Sequence, residues 1–220
     1  MVQKEIISKT ADFVRSVLKD AEGGHDWFHI ERVWKNAKHI AEHEDVDLFI
    51  VELGALLHDI ADAKFYDGDE NIGPEKAERF LKSIGIERSV IDHIKNIIRN
   101  ISYKSGLDAK NTKRFSSKEM QVIQDADRLD AIGAIGIART FNYGGFKNRE
   151  IYNPEIKPEI NLTKEAYKKS TAPTINHFYE KLLLLKNQMN TEAGKKIAEN
   201  RHKYMEDFLE QFYKEWDGER

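Results

Sequence analysis

Residues 48–60 read Leu-Phe-Ile-Val-Glu-Leu-Gly-Ala-Leu-Leu-His-Asp-Ile. Only Glu52 interrupts the apolar run before it reaches His58 and Asp59. A run this short does not span a bilayer and reads as a helix buried in a protein core. The expected helix extends from about Asp47 to Ile60. A core helix that ends on a histidine and an aspartate needs a partner for them, because burial of an unpartnered polar group is costly. A divalent cation is one such partner.

Outward from this helix, the chain keeps helical spacing in both directions. Upstream, Ile6, Thr10, Phe13, Val14, Val17 and Leu18 recur on one face. Gly23-Gly24 interrupts that pattern, and Asp26 is placed to cap a second helix from about Trp27 to Glu44. Downstream, Pro74 suits the first turn of a helix reaching about Ser83, Gly85 ends it, and Ile86 to Asn100 forms the next. Residues 103–115 are polar and predict a loop. Ser116 or Ser117, followed by Glu119, opens a helix carrying Val122, Ile123 and Leu129. The small apolar run Ala131 to Ala138 is expected to pack tightly inside, and Tyr143-Gly144-Gly145-Phe146 to turn. Residues 147–173 are weakly patterned and hold three of the four prolines. His177 to Met189 and Glu192 to Trp216 then read as two long helices. The expectation is an all-α single domain over residues 1–220. Its core spans about 22–135 and a C-terminal helical part about 136–218.

Composition narrows the function. Lys and Arg total 35 against 38 Asp and Glu, a net charge of −3, with the signs interspersed. That pattern is a solvated helical surface and argues against a nucleic-acid partner, which calls for a basic stripe. Met1-Val2-Gln3-Lys4 runs straight into the amphipathic pattern with no signal-peptide core, and no stretch has membrane-span character. There is no cysteine, which excludes disulfides and thiolate metal sites. The composition fits a cytoplasmic protein, monomeric or homodimeric. Any metal must sit on His, Asp or Glu, ligands suited to Mn2+, Mg2+, Fe2+, Co2+, Ni2+ or Zn2+.

Three clusters concentrate the chemistry: His25-Asp26-Trp27-Phe28-His29, Leu56-Leu57-His58-Asp59, and Asp125-Ala126-Asp127-Arg128-Leu129-Asp130. Adjacent residues on a helix diverge by about 100°, so His58 and Asp59 do not chelate alone. They can straddle an ion at a junction of helices, with His29 from one helix and Asp127 from another. Two neutral imidazoles and two carboxylates balance one divalent cation. Four protein ligands leave positions on an octahedral ion for water and a phosphoryl oxygen.

His29, then His58-Asp59, then Asp127, each in helical context, resembles the H…HD…D signature of the HD metal-dependent phosphohydrolase superfamily. The resemblance extends to His25-Asp26-x-x-His29-x-x-Arg32-Val33, to His58-Asp59-Ile60-Ala61-Asp62-Ala63-Lys64-Phe65, and to Asp125 through Gly136. It continues in His177 to Leu182 and in Asn200-Arg201-His202, so it covers nearly the whole chain. It implies a helical bundle with one metal, manganese favoured, held between helices by His29, His58, Asp59 and Asp127. It implies a small-molecule nucleotide substrate. The similar bacterial branch splits nucleoside triphosphates into monophosphate and pyrophosphate. A monophosphate phosphatase, a phosphodiesterase and a non-catalytic nucleotide-binding regulatory module are the alternatives the same site allows.

Within that frame Asp62, four residues after His58, is expected to orient or deprotonate water, on the argument that i and i+4 share a helix face. Lys64 and Arg32 are expected to clamp phosphate, and Arg128, His25 and Asp26 to contact substrate. Each has a plainer reading. Asp26 can be only a helix cap, Asp125 and Asp130 only flanking carboxylates, and His58-Asp59 only a hydrogen-bonded pair. His93, His39, His43, His177 and His202 read as ordinary helical histidines.

Overall fold

The computed structural model describes residues 2–19, 26–61, 69, 71–101, 115–160 and 170–219. Among these, every regular element is helical, as the spacing predicts. They fall into two compact units, Met1–Asp127 and Arg128–Arg220, divided within one helix.

The first unit holds α1 (Gln3–Val17), α2 (Trp27–Ala41), α3 (Leu48–Leu57), α4 (Ile72–Ser83), α5 (Arg88–Asn100) and most of α6 (Lys118–Asp130). Helix α3 lies at its centre and packs against α1, α2 and α5, while α4 packs on α5. Ile50, Val51 and every residue from Leu53 to Leu57 are buried. The buried Ile, Val and Leu side chains among them each contribute roughly 1.5–3 kcal/mol through burial. Asp47 starts the helix by accepting the Phe49 and Ile50 N–H groups. Gly54 of α3 faces Ile123 of α6: a Cβ there would stand 2.5 Å from Ile123 Cδ1. One helical turn further along each chain segment come His58 and Asp127.

Two helix ends fall short of expectation. Helix α3 stops at Leu57 rather than Ile60. The Ile60 N–H bonds the Leu57 carbonyl, an i to i−3 closure that tightens the chain out of the α-helix. Helix α2 stops at Ala41 rather than Glu44 for the same reason: His43 N–H reaches Ile40 O and Glu44 N–H reaches Ala41 O. Gly23-Gly24 and the loop expected over 103–115 lie outside the described residues, except for Phe115 at the loop's end.

The second unit holds α7 (Gly133–Phe146), α8 (Asn176–Glu180), a 3-10 helix (Leu182–Gln188) and α9 (Glu192–Trp216). Gly133, at φ +74, takes the left-handed turn that starts α7. Phe208 on α9 packs its ring against Phe141 and Phe178, each at 5.9 Å. Tyr152 packs on Phe212, Tyr213 and Trp216.

Three readings need correction here. The small run after α6 is only partly internal: Ile132, Gly133 and Gly136 are buried, but Ala134, Ile135 and Ala138 face solvent on one side of α7. Tyr143-Gly144-Gly145-Phe146 is not a turn but the last turn of α7. Gly144 serves close approach instead, since a Cβ there would stand 2.2 Å from Thr174 Oγ1. The long helix expected over His177 to Met189 is a short α-helix followed by a 3-10 segment, broken at Lys181 with φ −144 and ψ −57. No helix among the described residues is long and apolar enough to cross a membrane.

Candidate metal centre

The centre is assembled from the first turn of α2, the end of α3 and the last turns of α6. On α2, Asp26 Oδ1 accepts the His29 backbone N–H at 2.9 Å, which caps the helix and orients its first turn. His29 then points inward and is 2 % exposed. At the end of α3, His58 takes the C-cap position and is also buried, with Asp59 half-buried beside it.

His29, His58 and Asp59 each offer one donor atom, and these atoms lie within 4.8 Å of one another. The two imidazole rings are 5.5 Å apart and inclined at 65°. Asp127 Oδ1 stands 3.6 Å from His29 Nε2. Asn36, two turns after His29 on α2, makes a long contact of 3.5 Å from Nδ2 to the Ala126 carbonyl, linking α2 to α6 next to Asp127.

The fit to a divalent cation is tested by His58. Its Nδ1 is 2.8 Å from the Ala55 carbonyl oxygen. A carbonyl only accepts, so Nδ1 carries the proton and donates, and Nε2 keeps its lone pair for a cation. A backbone acceptor that fixes the tautomer in this way is what metal-ligating histidines commonly have. Two nitrogen and two oxygen donors, with two formal negative charges, suit one divalent ion of hard or borderline character.

The other expected residues fall in different places. Arg32 is half-buried on α2, one turn after His29. Arg128 follows Asp127 along α6 and is half-buried. Asp125 is fully buried. Asp130 is buried and paired with the Arg139 guanidinium. His25, Asp62 and Lys64 lie outside the described residues. Helix α3 ends at Leu57, so His58 follows the regular helix rather than lying within it. His93 Nε2 is bonded to Ser117 Oγ at 3.0 Å and packs on Phe115, a structural role at the start of α6. His177 lies in the second unit, where burial, with Lys181 and Arg149 nearby, lowers its pKa to about 3 and keeps it neutral. Sequence reasoning missed the Ala55 carbonyl and Asn36. The first carries no side-chain signal at all. The second had one, since it falls two turns from His29 on the same face.

A comparison with protein families matches the HD domain over residues 27–132. The chain is 38 % identical to the Bacillus subtilis protein YpgQ over 206 residues, 94 % of this chain and 91 % of that protein. It is 44 % identical to an HD-superfamily hydrolase of known crystal structure from Bacillus thuringiensis, with TM-score 0.78 and coverage of 98 % and 99 %. A crystal structure of B. subtilis YpgQ in complex with ADP matches with TM-score 0.76 and 35 % identity, over 98 % of this chain and 97 % of that one. Helices that bring His29 and His58-Asp59 together and set Asp127 beside His29, in a chain so similar to these proteins, lead to one assignment: this chain belongs to the HD-domain phosphohydrolase superfamily.

Proposed function

We propose that this protein uses one divalent metal ion to hydrolyse a phosphate bond in a nucleotide. The substrate is a ribo- or deoxynucleoside triphosphate, and the products are the monophosphate and pyrophosphate. The observation that carries this reading is the meeting of two buried imidazoles with the Asp59 carboxylate, with Asp127 beside His29 and His58 Nδ1 held on the Ala55 carbonyl. The nucleotide half of the proposal is supported by the ADP complex of B. subtilis YpgQ.

His29, His58, Asp59 and Asp127 would hold the ion, manganese being favoured. A divalent ion there supplies positive charge to a phosphoryl oxygen and lowers the pKa of water. The chain's own residues do the rest. Asp26 fixes the first turn of α2 and thereby the direction of His29. Asp62 takes the proton of the attacking water as its oxygen bonds to the α-phosphorus and the bond to the pyrophosphate oxygen breaks. Arg32 and Lys64 offset the charge on the phosphates, and His25, Asp26 and Arg128 contact the substrate.

Product analysis tests the reading. Purified protein is incubated with ribo- and deoxynucleoside mono-, di- and triphosphates, with Mn2+ or with chelator, beside His58→Ala. Monophosphate and pyrophosphate formed from triphosphates, only with metal and only by the wild type, is the expected result. Free phosphate released from monophosphates instead would replace this reading with a nucleotidase.

A further inference from the structure

The last turn of α2 and the residues just after it carry a second set of metal-competent side chains. His39, Glu42 and His43 each present one donor atom, and the three donors lie within 4.8 Å of one another on an exposed surface. His39 Nδ1 is 3.4 Å from Glu42 Oε2. The His39 and His43 rings stand 5.7 Å apart at 83°. Glu42 and His43 lie just past the end of α2 at Ala41, and the ring and donor distances themselves, not helical register, place them beside His39. Two donors on one zinc ion, each at roughly 2.0–2.1 Å, stand no more than about 4.2 Å apart. Rotating these exposed side chains closes the small remaining difference without moving the backbone.

The surrounding charge favours a cation. The group sits at the C-terminal end of α2, where the carbonyls present the negative end of the helix dipole. Glu44 adds a further carboxylate two residues beyond Glu42. The neighbouring cations on α2 are engaged elsewhere: the Lys38 ammonium is 3.6 Å from Glu52 Oε1 and lies over the Trp34 ring, and the Lys35 ammonium is 3.2 Å from Glu31 Oε1. Two imidazoles and one carboxylate form a donor set for zinc, copper(II) or nickel rather than for magnesium or calcium.

We infer that His39, Glu42 and His43 form a second, surface site for a borderline divalent cation. It is separate from the buried centre, because ten residues of helix place His39 about 15 Å along α2 from His29. The three ligands on one face leave the outer coordination positions to water.

The test is a zinc titration of tag-free protein against a competing chromogenic chelator, with circular dichroism to confirm folding. The wild type is expected to bind two equivalents in two affinity classes. H39A/H43A, a change confined to an exposed surface, is expected to lose one class while keeping the other. H58A is expected to lose the other class and keep the surface one, and E42Q to weaken the surface class alone. If H39A/H43A binds as many equivalents as the wild type with the same affinities, the inference is overturned.

Discussion

The His58 ring donates from Nδ1 to the carbonyl oxygen of Ala55, three residues earlier, at 2.8 Å. The bond predicts a tautomer that can be observed directly. Nitrogen-15 correlation spectra of metal-free protein are expected to show His58 as the neutral Nδ1–H form, with Nε2 unprotonated. Adding Mn2+ or Zn2+ perturbs the Nε2 resonance while Nδ1 stays protonated. A His58 ring protonated on Nε2 alone would remove the argument for ligation.

Losing a ligand differs in scale from losing a partner of a ligand. Outer partners cost about 10–100-fold in metal affinity or activity. His58→Ala, His29→Ala and Asp127→Ala are each expected to exceed that range in kcat/KM for triphosphate hydrolysis, and chelator to abolish the wild-type rate. Metal stoichiometry and kinetics, measured on the same preparations, check this.

Asp26 can act on stability, on substrate, or on both, and the two roles separate cleanly. Asp26→Ala removes the cap on the His29 N–H and is expected to cost about 1 kcal/mol in urea unfolding. Asp26→Asn keeps an acceptor and is expected to restore that stability. If Asp26→Asn also restores KM, Asp26 is a cap alone. A raised KM in a stable Asp26→Asn protein places its charge against the substrate.

The missing side chain of Gly54 leaves room on α3 for Ile123 of α6. Gly54→Ala sets a methyl 2.5 Å from Ile123 Cδ1, the end of a side chain that can rotate aside, so the overpacking is expected to cost about 1 kcal/mol, the low end for such changes. Because His58 and Asp127 lie one turn beyond these positions, metal affinity is expected to fall with stability. Ile123→Val removes the clashing atom, so the double variant is expected to recover part of both losses, a coupling that a double-mutant cycle reads out.

Glu78 on α4 is answered by three cations, Lys82 on its own helix and Arg88 and Lys95 on α5. Lys82 and Arg88 lie 2.7 Å from its Oε1, and Lys95 bonds Oε2. Lys82, then Lys95 and Arg88, hold its carboxyl at about 2, below the ordinary 4.5. A lowered acid pKa stabilises the folded state above the unfolded value, and the contribution disappears as pH falls through the folded one. The stability difference between wild type and Glu78→Gln is therefore expected to be full at pH 7 and to shrink between about 4.5 and about 2. Thermal melts across that range measure it.

The sequence made the first unit legible where local chemistry and packing agree. Asp26 opens α2 and Asp47 opens α3 because short side-chain acceptors answer the free N–H groups of a first turn. From Leu53 to Leu57 the apolar run before His58 is buried on every side, which is why it stood out. Legibility failed where a tertiary contact chose between local options. Gly144-Gly145 looks like a turn, yet α7 continues through it because Thr174 packs where a Cβ would be. The leucine run at 182–185 is equally apolar on all sides of a helix, so its period is invisible. Only burial at Leu182 and Leu185, three apart, shows the 3-10 repeat. For the site, the residue types and their order were readable. The Ala55 carbonyl was not, since every residue has one.

The cap on α2 also bears on what draws the phosphates in. A helix N-terminus attracts anions through its unpaired N–H groups and its dipole. In α2 the Asp26 carboxylate already occupies that role, one turn of chain from His29. A polyphosphate approaching His29 therefore meets a helix end whose charge is answered from within, beside Asp59 and Asp127. Under the proposed function, the helix dipole of α2 is therefore not what draws the phosphates in; their charge is answered by the metal ion and by the Arg32 and Lys64 cations instead.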